Sequence, residues 1–157
     1  METQEVCYTR EVALEKAIEM ETKSFELYKG AYLSAQDRLA KDLLRDLALD
    51  ELGHRYTLEK AFFEETVALH EAGYSTGPSM KLTMLLEEKP LGEGASEQDV
   101  MISAIHEEKR AVDFYRKMGE QCGGAPMEEM FKRLSEDEEG HLARLEELYE
   151  RRYMQEM

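Results

Sequence analysis

The chain has 157 residues, 35 of them acidic and 20 basic, for a formal charge of −15. That length fits one domain, read here as 1–157, and so acidic a surface repels phosphate backbones and anionic headgroups, which argues against nucleic-acid and membrane partners. No run of eighteen apolar residues exists to span a bilayer and the N-terminus is charged where a signal peptide is apolar, so a cytoplasmic location is expected.

The first predicted helix, α1, covers about 9–33. Its Leu14, Ile18, Glu21, Phe25, Tyr28 and Tyr32 alternate in steps of four and three, the signature of one helical face. Residues 34–37 supply a turn. A second helix, α2, is expected over about 36–69, with Leu44, Leu47, Glu51, His54, Leu58 and Ala61 on its stripe. Residues 70–96 carry the glycines and prolines of a long connection, within which 80–88 suits a short helix. The third helix, α3, spans about 97–121, with Ser96 and Asp99 resembling a capping box. Its stripe is Met101, Ile105, Glu108, Val112, Tyr115 and Gly119. Gly123-Gly124 then breaks the chain and Pro126 suits a first helical turn. The fourth helix, α4, is placed at about 126–153, with Phe131, Leu134, Glu138, His141, Leu145 and Leu148 in line. Short α1–α2 and α3–α4 turns with a long α2–α3 crossover describe an all-α, ferritin-like four-helix bundle made of two antiparallel helical hairpins.

An internal repeat supports this organisation. At an offset of 87 residues, Ala17, Ile18, Glu21 and Tyr28 fall on Ala104, Ile105, Glu108 and Tyr115. The same offset carries Leu47, Asp50, Glu51, Gly53, His54, Leu58 and Glu59 onto Leu134, Asp137, Glu138, Gly140, His141, Leu145 and Glu146. The repeat halves, about 9–69 and 96–153, read as a duplicated hairpin.

Each apolar stripe is interrupted at its middle by Glu21, by Glu51 and His54, by Glu108, or by Glu138 and His141. A bare buried carboxylate costs several kcal/mol, and four in one core repel one another besides. Positive charge or bound protons must offset them. Glu21 and Glu51 are equidistant from residue 36, and Glu108 and Glu138 from residue 123, so folding each hairpin places all four in one layer. The histidines follow three residues on, on the same face and roughly 4.5 Å up the axis. Two divalent cations would balance four carboxylates and leave two neutral imidazoles as further ligands. A Glu from each of two helices with a Glu-x-x-His from each of the other two is the ligand pattern of di-iron and di-manganese carboxylate bundles. Such oxygen-rich ligation suits iron first, then manganese, with zinc as an alternative.

The segments AIEMETKSFELY and AIHEEKRAVDFY, with DELGH and DEEGH, resemble the four bundle helices of the rubrerythrin-like branch of the ferritin-like superfamily. The resemblance implies a non-haem di-iron centre with Glu21, Glu51, His54, Glu108, Glu138 and His141 as ligands. It also implies oxidoreductase chemistry on hydrogen peroxide or dioxygen, and a homodimer. Two departures matter. No four-cysteine rubredoxin-like module accompanies the bundle, so electrons are expected from a separate donor protein. The additional glutamate of that family, one turn after its α3 ligand, is Ala111 here, which puts the peroxidase route that uses it in doubt. The symmetric six-ligand set also resembles bacterioferritin, but Leu52 stands where a haem-ligating methionine would be, and no haem is expected.

Around this set, Tyr28 and Tyr115 are candidates to hydrogen-bond ligand carboxylates of the opposite hairpin, or else ordinary core aromatics. Asp50 and Asp137 are candidate acceptors for the ligand histidines, or solvent-facing acids. Gly53 and Gly140 suggest either close helix approach or an exposed accident. His70 and His106 read as surface residues, Cys7 and Cys122 as free thiols, and the remaining glutamates as solvated helix faces. Three functions follow: an oxidoreductase reducing peroxide or dioxygen, an Fe(II)-oxidising iron-handling or storage protein, or a structural bundle stabilised by metal.

Overall fold

Three of the four helices begin where a side-chain oxygen satisfies a backbone N–H that the first turn leaves unpaired. The computed structural model describes residues 8–64, 79–92, 95–120 and 127–155. Helix α1 (Arg10–Ser34) starts behind Thr9, whose hydroxyl accepts from the Val12 N–H at 3.3 Å. Asp37 does the same for α2 (Arg38–Ala61), accepting from Ala40 at 2.8 Å. Ser96 caps α3 (Glu97–Glu120) through the Asp99 N–H at 3.1 Å. Helix α4 (Met127–Tyr149) runs on into a π-helical turn, Glu150–Met154. The turn residues Gly123, Gly124 and Pro126 lie outside the described residues.

The helices pair as the hairpins α1–α2 and α3–α4, which pack as a bundle with a long loop between α2 and α3; the hairpins meet mainly through α1 and α3. Helix α2 is shorter than its sequence pattern suggested. It ends at Ala61 rather than near 69, and residues 62–63 form a turn. That end lies level with Arg10, where the antiparallel partner α1 begins, and Phe62 still packs against the core. The Arg10 guanidinium donates to the carbonyls of Ala61 and Glu64, placing a cation at the negative end of α2. The stretch 80–88 forms only a single 3-10 turn, Leu82–Met84. Leu82 anchors it in the core, and buried Glu146 accepts from the Leu82 N–H and the Ser79 hydroxyl, both at 2.9 Å.

The apolar interior is in two parts. One cluster includes Tyr28, Leu44, Leu47, Met101, Ile105, Leu142 and Leu145. The other includes Leu14, Leu58, Tyr115, Met118, Met130, Phe131 and Leu134. Each fully buried Leu or Phe contributes roughly 1.5–3 kcal/mol relative to exposure. Between the clusters in sequence position along every helix lie the glutamates and histidines, so the apolar ends hold a polar middle in place.

Two readings of single residues change. His106 is not a free surface residue: its ring is mostly buried and its Nε2–H donates to the Leu86 carbonyl at 2.7 Å, tying α3 to the crossover. Gly53 is not a close-approach glycine, since an added Cβ there would meet nothing within 4 Å. His70, Cys7 and Cys122 lie outside the described residues.

Candidate metal centre

Glu21, Glu51, Glu108 and Glu138 are each at most 1% exposed, and His141 is fully buried with His54 at 6%. Their ligating atoms form two overlapping groups: Glu21, Glu51, His54 and Glu138 in one, Glu51, Glu108, Glu138 and His141 in the other. Within each group, one atom per residue lies within 4.8 Å of the others. Glu51 and Glu138 belong to both. The repeat thus sets out a pseudo-symmetric pair of positions, each with one private glutamate and one private histidine and two shared glutamates.

The histidines cross between hairpins. His54 Nδ1 lies 2.9 Å from Glu138 and 3.5 Å from Glu21. His141 Nδ1 lies 2.8 Å from Glu51 and 3.4–3.5 Å from Glu138 and Glu108. The two rings are stacked, with centroids 5.8 Å apart. Both Nε2–H groups point the other way, to Asp137 at 3.0 Å for His54 and to Asp50 at 3.2 Å for His141. The residue before the shared glutamate of one hairpin therefore orients the histidine of the other. The tyrosines cross too. Tyr28 donates to Glu108, and Tyr115 donates to Glu21 at 2.5 Å. Both phenols are held well above their usual pKa by burial and by the facing carboxylates, so they stay protonated as donors.

Without cations the centre resolves its charge by splitting the carboxylates. Burial and the neighbouring charge of Glu138 push Glu108 up to about 8, and burial with the charges of Glu138, Glu21 and Glu108 raises Glu51 well above the carboxylate range. Burial also acts on Glu21, but the His54 charge and hydrogen bonds from Glu51, His54 and Tyr115 hold it low. Burial and the Glu21 charge press on Glu138, and hydrogen bonds from Glu108 with the His141 charge hold it low as well. Burial opposes protonation of both histidines and loses. Glu21, Asp137 and Glu138 raise His54, and Glu108, Glu138 and Asp50 raise His141. The raised histidines thus face the lowered Glu21 and Glu138, while Glu51 and Glu108 are shifted toward their neutral forms.

The donor set nonetheless fits metal better than protons. The buried Oε2 atoms of Glu21, Glu108 and Glu138 have no hydrogen-bond partner, although a buried acceptor left unpaired costs about 1–3 kcal/mol. A pair of divalent cations would use all three, and would take the Nδ1 lone pairs while each Nε2–H remains on its aspartate. Because those aspartates set ring orientation, Asp137→Asn or Asp50→Asn is expected to weaken metal affinity about 10–100-fold. A metal titration with a competing chelator measures it, and unchanged affinity in both variants would reject this role.

Two glutamates that the sequence placed on solvated faces are buried: Glu146 beneath the crossover, and Glu107, which accepts from Lys23 at 2.8 Å and Arg110 at 2.5 Å. Glu146 lies off the stripe read for α4, and its repeat mate Glu59 is exposed, so nothing in the spacing marked it as buried.

The rubrerythrin family model matches residues 11–149, nearly all of the described bundle. The chain belongs to the rubrerythrin family, with a buried carboxylate and histidine site of two-metal type. Comparisons with curated proteins and with solved structures give no match. Among the described residues, no helix is long and apolar enough to cross a membrane.

Proposed function

We propose that the chain is a non-haem di-iron oxidoreductase that reduces hydrogen peroxide or dioxygen with electrons from a separate donor protein, working as a cytoplasmic homodimer. The observation that supports this most is the sharing of Glu51 and Glu138 between two four-residue ligand groups. Shared carboxylates hold two cations close together, at about the 3.5–4 Å at which a pair acts on one small molecule. When bound, two ferrous ions supply the two electrons that, with two protons, convert hydrogen peroxide to two waters.

The protein's own contribution is positional. Glu21 with His54 and Glu108 with His141 would each hold one ion, and Glu51 and Glu138, common to both groups, would serve both. Tyr115 and Tyr28 fix the orientation of Glu21 and Glu108 by their hydroxyl protons. Asp137 and Asp50 fix the rings. The apolar clusters at either end exclude bulk water and keep the local dielectric low.

A second reading, Fe(II) oxidation for storage or transfer, draws on Ala111, which leaves the symmetric six-ligand set without a seventh carboxylate. Anaerobic loading with Fe(II) followed by stopped-flow absorption against peroxide and against dioxygen separates the two. Faster oxidation by peroxide in a dimeric protein supports the first reading. Oxidation by dioxygen with continued iron uptake in a many-subunit assembly supports the second. Two bound ions with no redox response to either oxidant would leave metal a purely structural role.

A further inference from the structure

A solvent-open cleft of about 360 Å³ lies between α1 and α3. Lys16, Lys23 and Arg110 line it together with Glu19 and Glu107, and its inner lining includes Ser24 and Ala111. Ser24 and Ala111 are equivalent positions in the two halves, 87 residues apart. Each follows its helix's private glutamate, Glu21 or Glu108, by three residues. It therefore shares that glutamate's face, roughly 4.5 Å along the axis. Both are small and nearly fully buried, at 4% and 5% exposure, so the cleft reaches inward to within one turn of the candidate ligands.

Three features mark this as more than a surface hollow. Ser24, at 4% exposure, lines the cleft and puts a hydroxyl, both donor and acceptor, at its inner end. The private glutamates beyond it, Glu21 and Glu108, each keep an unpartnered Oε2. The side of the centre formed by α2 and α4 is occupied instead by the stacked histidines and their aspartates. Charge agrees with geometry. The lining carries Lys16, Lys23 and Arg110 against Glu19 and Glu107, with Glu88 also on Arg110 at 2.7 and 2.9 Å, so the cleft is close to neutral on a chain of net charge −15 and repels an anion less than the surface at large.

We infer that the α1–α3 cleft is the entrance to the metal centre for small hydrogen-bonding molecules of two or three heavy atoms, neutral or anionic, and that Ser24 is the positioning residue at its inner end. This rests on the di-metal reading. Hydrogen peroxide has the size and hydrogen-bonding capacity for this route. Larger organic oxidants do not pass Ser24 and Ala111.

The test uses iron-loaded full-length chain with azide as probe, read by its charge-transfer absorption and by elemental analysis. Ser24→Cys is made together with Cys7→Ser and Cys122→Ser, so that one thiol remains. The azide association rate of this variant before treatment is the reference. After modification with benzyl methanethiosulfonate, azide association should slow at least tenfold at unchanged iron content, and dithiothreitol should restore it. Ala111→Phe should give the same slowing by substitution, while Leu52→Phe on the outer face of α2 should leave it unchanged. A thiol at position 24 that stays unreactive in the folded chain, or azide binding indifferent to both obstructions, overturns the inference and leaves the di-metal reading standing. A parent that takes up no iron overturns both.

Discussion

Glu51→Ala and Glu138→Ala are expected to empty both metal positions, whereas Glu21→Ala and Glu108→Ala should each empty one. The reason is the sharing described above: Glu51 and Glu138 reach both ligand groups, and Glu21 and Glu108 reach one each. Losing a shared carboxylate removes a quarter of each donor set and the charge that holds two cations side by side in a low-dielectric core. Elemental analysis of protein loaded under identical conditions should show about two ions per chain for the parent. It should show close to none for the shared-ligand variants and about one for the private-ligand variants. His54→Ala and His141→Ala should behave like the private glutamates, and His106→Ala, whose ring instead holds the Leu86 carbonyl, should retain both ions. Four equal losses among the glutamate variants would mean that no carboxylate bridges.

The crossed contacts give this site a dependence on assembly that neither hairpin has alone. His54 on α2 meets Glu138 on α4, and His141 on α4 meets Glu51 on α2. Tyr28 on α1 holds Glu108 on α3, and Tyr115 on α3 holds Glu21 on α1. Each candidate ion position therefore draws on both halves of the repeat, and metal binding would stabilise the packing of one hairpin on the other. By mass action, ions that bind only the closed bundle stabilise it in proportion to the logarithm of their concentration.

Much of this was legible in the chain because helix periodicity and a repeat constrain the same residues twice. The steps of three and four placed Glu21, Glu51, Glu108 and Glu138 on buried stripes, and equal distances from the turns placed them at one level. What spacing does not carry is which partner lies across the bundle. The division into shared and private glutamates depends on the relative rotation of the hairpins. So does the reach of Asp50 and Asp137 to the histidine of the other half. The end of α2 was missed for a related reason: its sequence remains compatible with helix past Ala61, and what meets its last carbonyls is the Arg10 guanidinium of the other helix of the hairpin. Glu107 and Glu146 were missed because an acidic residue in an acidic chain carries no mark of burial until the cations or N–H groups that meet it come from distant segments.

Metal loading should reverse the pH dependence of stability. In the metal-free bundle, Glu51, Glu108, His54 and His141 all have folded pKa values above their usual ones. Stability from groups of this kind is fully present below the unfolded pKa and is lost as pH rises through the folded one. For Glu108 the window runs from 4.5 to about 8. For the histidines it begins above 6.5. Glu21 and Glu138 are shifted the other way, so their contribution is present above 4.5 and lost only as pH falls through their lowered values. The metal-free protein should accordingly be less stable at pH 8 than at pH 6. At about 1.4 kcal/mol per pKa unit the loss is on the order of a few kcal/mol, or roughly 5–10 °C in Tm. Two divalent cations would displace the protons that these raised groups retain. Loading near neutral pH should then release protons, and the stabilisation by metal should grow with pH. Replacing all four glutamates by Gln should flatten the profile and abolish metal binding. At pH 8 that variant should melt at or above the metal-free parent, because the repulsion and the desolvated charge are gone. Thermal melts of the metal-free, iron-loaded and substituted proteins at both pH values, with proton release followed by a pH indicator, measure each part. Equal melting of the metal-free parent at pH 6 and pH 8, with no proton released on loading, would show that the carboxyls do not share one buried layer.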